Sequence, residues 1–326
     1  MTQRLTAWWH LSRPRMLPYV LMLVLAGYGW AHWDRALAAQ RPDRLVLVLL
    51  AWSLLHSGTL LLNAVLDQDE GEVLMGRAVP PPPGTAWVGY LELVACVLLA
   101  ASAGLWPGIA GLVCAALAVL YSHPATMWKG HPLGGPLVNL VGYGLLSPLA
   151  GFAVTGLAVD QRTLLVWPLV ALGILGTYFV AQAFQHDEDA ARGYRTLVVT
   201  HGPHAVLQAA RVSIGLAIVG GLALAVAGWL PRGCLMVAPA GWWLDRWLVA
   251  WQQQPDGGDA TWALGFTHRL LLAGMLGLCA ATGHYVHASF SDQPVAGLGT
   301  AAGHPPDRPR LSPREMRLWE AGQSSR

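Results

Sequence analysis

The chain has 326 residues, of which 54% are hydrophobic and only 12% charged, with a formal net charge of +2. Soluble domains carry roughly 25% charged residues, so half that share cannot clothe a globule of this size, and most of its surface must meet lipid. The near-neutral balance, with no basic run and no nucleic-acid motif, excludes nucleic acid as the expected partner.

Each membrane crossing needs about 20 apolar residues. Apolar stretches fall at 16–33, 45–66, 86–105, 107–121, 134–156, 163–184, 205–229, 234–251 and 262–283, bounded by polar or Pro/Gly punctuation. The expected fold is therefore all-α, a polytopic membrane protein of about nine transmembrane helices. Arg4, Arg13 and Arg15 precede the first stretch, which is too long for a cleaved leader and reads as an uncleaved span. The fifth stretch contains Pro136, Gly142, Gly144 and Pro148, which are tolerable in lipid where neighbouring helices satisfy the freed backbone. Asp245 and Arg246 predict a break in the eighth. Arg211 is expected to snorkel, and Arg269 lies deep in the ninth. Residues 1–285 form the membrane domain; 286–326 read as a polar, mostly disordered tail with a short interfacial helix over Ser312–Trp319. Arginine and lysine in short loops favour the side of the N-terminus, predicting a multi-pass protein of the cell membrane, a bacterial inner membrane, with a cytoplasmic N-terminus.

Cys96, Cys114, Cys234 and Cys279 lie in apolar stretches without a Cys-x-x-Cys pair and read as buried, inert thiols. Trp8, Trp9, Trp30, Trp33, Trp242, Trp243, Trp247 and Trp251 sit near span ends and predict an interfacial belt.

Charge is unevenly placed. Asn63 to Glu72 carries four carboxylates after the second span, and Gln185 to Asp189 carries three after the sixth, on the same predicted side. At about 100° per residue Asn63, Asp67 and Glu70 share one helical face, as do Gln185, Glu188 and Asp189. Two facing sets of oxygen ligands suit Mg²⁺, which takes one or two carboxylates plus substrate phosphates. Arg77, Lys129 and Arg195 lie in loops on that side, and cations with metal-bound carboxylates describe a diphosphate site. Each cluster alone also fits a solvated helix end. His123, His131, His186 and His201 lie nearby as candidates for acid–base chemistry, and Trp128 as a candidate for the wall of a cavity.

Asn63 and Asp67 match the Asn-Asp-x-x-Asp-x-x-x-Asp motif of UbiA-type prenyltransferases, with Val79-Pro80-Pro81-Pro82-Pro83-Gly84 downstream. The second cluster resembles their Asp-x-x-x-Asp motif and continues into Gly193-Tyr194-Arg195-Thr196-Leu197. The run from Tyr121-Ser122-His123-Pro124 to Lys129 is similar to a third family loop. The chain thus resembles the UbiA superfamily of intramembrane prenyltransferases over about residues 5–285. The resemblance implies a helical bundle around a central cavity and Mg²⁺-dependent transfer of an isoprenyl group from a prenyl diphosphate to an aromatic or other lipophilic acceptor. It implies catalytic roles for Asn63, Asp67 and Asp189, metal-binding roles for these with Glu70, Gln185 and Glu188, and substrate-binding roles for Arg77, Tyr121, Lys129 and Arg195. The chain departs from the pattern at Ala64, Gly71 and Gln185, which stand for Asp, and at Met127, which stands for Arg. Terpene cyclisation in the same cavity, and a non-catalytic bundle that binds lipid or pigment or scaffolds a complex, remain the alternatives.

Overall fold

A computed structural model describes residues 2–32, 40–67, 79–254 and 257–290. All regular elements among them are helical. A short α1 (Thr2–Leu11), not foreseen from the sequence, leads through an elbow with Arg13 in the left-handed region (φ 45°) into α2 (Leu17–His32). Trp8 ties α1 down by donating to the Thr85 hydroxyl, 2.9 Å away. Then come α3 (Pro42–Asp67), α4 (Thr85–Ala103) and α5 (Leu105–Ser122), the last two folded back on each other at Gly104. The fifth stretch forms α6 (Gly134–Asn139), a π-helical segment (Leu140–Leu146) and α7 (Ser147–Ala153). After them follow α8 (Gln161–Gln182), α9 (His186–Ala191), α10 (Leu197–Val226), α11 (Ala238–Gln252) and α12 (Ala260–Phe290).

All nine expected stretches fall on helices. Seven are long and apolar enough to cross a membrane; α2 and α11, with 16 and 15 residues, are shorter. Helix α12 runs five residues past the expected domain boundary at 285, and the tail beyond it, with its expected helix at Ser312–Trp319, lies outside the described residues. The expected break at Asp245 is absent. Helix α11 runs through it because Asp245 accepts from Arg211 Nε at 2.8 Å, which also corrects the snorkelling expected of Arg211. The interruption falls earlier, in a 3₁₀ turn at Arg232–Val237.

The π segment shows how lipid-embedded backbone is repaired. Pro148 has no N–H to donate and the ladder widens there. The Ser147 hydroxyl donates to the Gly142 carbonyl (2.9 Å) and accepts from buried Trp52 Nε1 (2.8 Å), stitching the bend to α3. Helix α2 packs against α7 so closely that a Cβ on Gly27 would strike the Pro148 carbonyl and one on Gly151 the Val24 carbonyl. Small residues at such crossings allow backbone contact where water exclusion offers no driving force.

Two buried clusters divide the bundle. Val24, Val48, Trp52, Leu62, Cys96 and Ala100 centre the half made by α2–α5 and α7. Phe179, Leu207, Leu244, Leu248, Trp251 and Phe266 centre the half made by α8, α10, α11 and α12. The outside is apolar, with Leu98, Leu105, Leu216, Val219 and Leu272 more than half exposed, as a surface facing acyl chains requires.

The tryptophans depart from the expected belt. Trp9 and Trp242 are exposed, but Trp251 is fully buried and donates to the Gly257 carbonyl (2.7 Å), and Trp247 donates to the Trp262 carbonyl (3.0 Å). Trp33 lies outside the described residues. Arg269 stacks on Trp247 and Trp243, with its guanidinium carbon 3.6 and 4.7 Å from the ring centres. Of the cysteines, Cys96 and Cys114 are buried as expected, Cys234 is half-buried, and Cys279 is exposed on the outer face of α12.

Candidate active site: a cavity between the two halves

The two halves enclose a cavity of about 410 Å³. Its mouth is polar. Asn63, Tyr121, Lys129, Gln185, Glu188, Asp189, Arg192 and Tyr194 converge there, whereas most of the interior is apolar, with Val20, Leu23, Leu60, Leu117, Ile174 and Phe266. Helix α3 supplies His56, Thr59, Leu60 and Asn63 at spacings of three, four and seven, which place them on one face. The Asn63 carboxamide oxygen accepts from the Ser122 hydroxyl, fixing Asn63 against α5.

Two loops frame the mouth. In the first, Met127 adopts a left-handed backbone (φ 44°) and opens the 3₁₀ turn Trp128–Gly130, which turns Lys129 inward and buries it. The second contains α9 and the turn at Gly193 (φ 72°). They are joined where Arg195 N donates to the Gly130 carbonyl (2.9 Å). Gly130 is needed there because a Cβ would come within 2.9 Å of the Tyr194 ring. That ring also lies 5.6 Å from Lys129 Nζ. Asp189 Oδ2 accepts from the Thr196 hydroxyl (2.8 Å), and Glu188 pairs with Arg192 at 2.6 Å.

Electrostatics follow from this burial. Loss of hydration, reinforced by nearby Arg192, lowers the Lys129 pKa to about 8 against the pull of Asp189 and Glu188. Burial likewise raises the Asp189 carboxyl, opposed by the Thr196 hydrogen bond and by Arg192.

Of the sequence-predicted site residues, Asn63, Tyr121, Lys129, Gln185, Glu188 and Asp189 all line the cavity. Asp67 is the last residue of α3 and its side chain lies outside the described residues, as do Glu70 and Arg77. Arg195 is exposed and does not line the cavity: the turn at Gly193 sends its backbone to Gly130, while Arg192, one helical turn after Glu188, faces inward. Trp128 and the four loop histidines His123, His131, His186 and His201 also lie off the cavity wall. His56, overlooked in the sequence, lies on it, with Nε2 3.4 Å from the Arg13 carbonyl. Its spacing of seven from Asn63 was the available signal.

The chemistry of the donors tests the metal reading. Among the described residues no three His, Cys, Asp or Glu side chains come together. In the second cluster Gln185 is uncharged, Glu188 is ion-paired with Arg192 and Asp189 accepts from Thr196, so this half of the site suits a metal ion less well than two aspartates without a neighbouring guanidinium would. Asn63 presents an oxygen at the mouth on the other side, one helical turn before Asp67.

The UbiA prenyltransferase family model matches residues 16–271. The chain belongs to the UbiA prenyltransferase family. It is 29% identical over 194 residues to a protoheme IX farnesyltransferase of Picosynechococcus sp., a match covering 57% of this chain and 58% of that protein, less than two thirds of the relative's length. In structure it resembles a UbiA homolog from Archaeoglobus fulgidus bound to DMAPP and Mg²⁺ (TM-score 0.60, 14% identity, 84% of this chain and 99% of that one). It also resembles a digeranylgeranylglyceryl phosphate synthase (TM-score 0.59, 15% identity, 87% and 99%) and the apo form of a UbiA homolog from Aeropyrum pernix K1 (TM-score 0.54, 16% identity, 83% and 97%). At such identities these likenesses establish the fold, a UbiA-like helical bundle around a central cavity.

Proposed function

We propose that this multi-pass membrane protein transfers an isoprenyl group from a prenyl diphosphate to a lipophilic acceptor inside the cavity. The observation that carries the reading is the polarity gradient of that cavity, with Lys129, Arg192, Asn63 and Asp189 at one end and an apolar interior behind them. A prenyl diphosphate has the same division, a highly anionic head on a hydrocarbon tail. The head sits at the mouth, where Lys129 and Arg192 meet its oxygens. The tail lies among Leu60, Leu117 and Ile174. Asn63 with Asp67 would hold a Mg²⁺ from the α3 side, which would supply positive charge to the departing diphosphate.

The remaining steps belong to the chain's own residues. As the C1–O bond breaks, its electron pair leaves with the diphosphate, and Lys129 stabilises that growing charge in a site of low dielectric. The apolar walls keep water from the allylic cation until the acceptor's bond to C1 forms. The acceptor then gives up a proton. His56 suits that step: the carbonyl of Arg13 can only accept, so Nε2 carries the hydrogen and Nδ1 the lone pair. The protoheme IX farnesyltransferase relative suggests a large planar acceptor, and an aromatic one is the reading adopted. In the cell membrane, with the N-terminus cytoplasmic, the mouth opens to the side where soluble diphosphates are made.

Binding of geranyl S-thiolodiphosphate, a non-hydrolysable prenyl diphosphate, to the purified protein with Mg²⁺ tests the reading. Saturable binding is expected, weakened by Asp67→Ala. A folded protein that binds none is not a prenyltransferase.

A further inference from the structure

The second acidic cluster, which the sequence offers as a set of metal ligands, is interleaved with cations in the structure. We infer that this cluster is a cationic clamp for the diphosphate rather than a metal site, so that the chain holds its substrate with a single metal ion on the α3 side. This rests on the prenyl diphosphate reading and specifies how that head group is neutralised.

Three observations carry it. First, the carboxylates of the second cluster already have partners. Glu188 is paired with Arg192 at 2.6 Å, Asp189 accepts from Thr196 at 2.8 Å, and Gln185 is neutral. Second, two cations line the cavity near these carboxylates. Lys129 is buried on the cavity wall, 7% exposed, and Arg192 lines the same wall. The formal charge of Lys129, Arg192, Glu188 and Asp189 sums to zero, so this side lacks the net negative charge that would draw in a divalent ion. An anionic diphosphate, in contrast, is attracted to both, with Glu188 and Asp189 keeping the pair aligned. Third, the departures from the family pattern leave this side, in sum, with less negative charge. Gln185 removes a negative charge from the metal side and Met127 removes a positive charge from the loop, while Arg192 brings a guanidinium to the mouth from α9. Its planar fork suits two phosphate oxygens.

The test is metal stoichiometry together with affinity. Purified full-length protein is titrated with geranyl S-thiolodiphosphate in excess Mn²⁺, and bound manganese is counted by electron paramagnetic resonance and native mass spectrometry. One Mn²⁺ per bound analogue is expected, unchanged in Glu188→Gln. In EDTA, binding weakens but persists. There Arg192→Gln loses a further 10- to 100-fold or so, the worth of a hydrogen bond to a charged group, and Arg192→Lys recovers part of it. Two Mn²⁺ per analogue, falling to one in Glu188→Gln, would overturn the clamp and leave the prenyl diphosphate reading standing. Equal affinity of Arg192→Gln and the parent protein would also overturn it. Absence of any analogue binding by the folded parent would overturn both.

Discussion

The mouth and the interior of the cavity are built on opposite rules. At the mouth, four charged side chains are set by partners from separate elements: Lys129 from the first loop, Glu188, Asp189 and Arg192 from the second, with Thr196 and Tyr194 supporting them. In the interior most walls are apolar, and position comes from helix packing such as the backbone contact of α2 with α7 at Gly27 and Gly151. A mouth made of interlocked charges fails when one member is removed. An interior made of packing fails when volume changes.

The largest difference is expected at Asp189. Replacing it with Ala takes the acceptor from the buried Thr196 hydroxyl and a negative charge from the neighbourhood of Lys129, and leaving a buried polar group unsatisfied costs about 1–3 kcal/mol. A drop of that size in denaturant-unfolding free energy is expected, with loss of analogue binding. If Asp189→Ala keeps the parent's stability and affinity, the mouth is a solvated helix end and the contrast with the interior disappears.

Next comes Gly151→Leu. The added side chain enters the α2–α7 crossing, where a Cβ alone strikes the Val24 carbonyl. Overpacking costs about 1–3 kcal/mol, seen as a lower unfolding midpoint. Because Val24, Gly27, Pro148 and Gly151 do not line the cavity, affinity for the analogue measured below the midpoint stays within about threefold.

The sequence supports this contrast unevenly. Hydropathy located all nine apolar stretches because lipid imposes the same demand along a whole helix. It missed α1, whose apolar run is too short to register. Helical phase put Gln185, Glu188 and Asp189 on one side, and the cavity lining contains all three. It chose Arg195 where the cavity lining has Arg192, because the reversal at Gly193 (φ 72°) is a matter of loop geometry. It passed over His56 because a lone histidine in an apolar run has no charged neighbour to draw notice. The likeness of the second cluster to a metal-binding motif was legible. Its bonds to Arg192 and Thr196 were not, since they form only once α9 and the following turn have formed.

Proton binding at the mouth sharpens the comparison further. Burial lowers the Lys129 pKa to about 8, so the ammonium is present below that pH and lost above it. Affinity for an anionic analogue should therefore hold below about pH 8 and fall at higher pH, by at most about tenfold per unit for one linked proton. The fall ends at the higher pKa that Lys129 acquires when the diphosphate is bound. Calorimetric titration from pH 6.5 to 9.5 reads this directly. Lys129→Met should bind weakly throughout and show no such step.

The smallest effect belongs to the outer face, which neither rule governs. Leu98 on α4 is 64% exposed, and in a membrane it exchanges one apolar neighbour, lipid, for another. Leu98→Ala should leave analogue affinity unchanged and shift unfolding free energy within about 0.5 kcal/mol, as for other replacements away from packed or charged features. A loss above 2 kcal/mol would mean that this face of α4 packs against protein rather than acyl chains. The boundary between packed interior and lipid would then lie farther out than the two buried clusters place it.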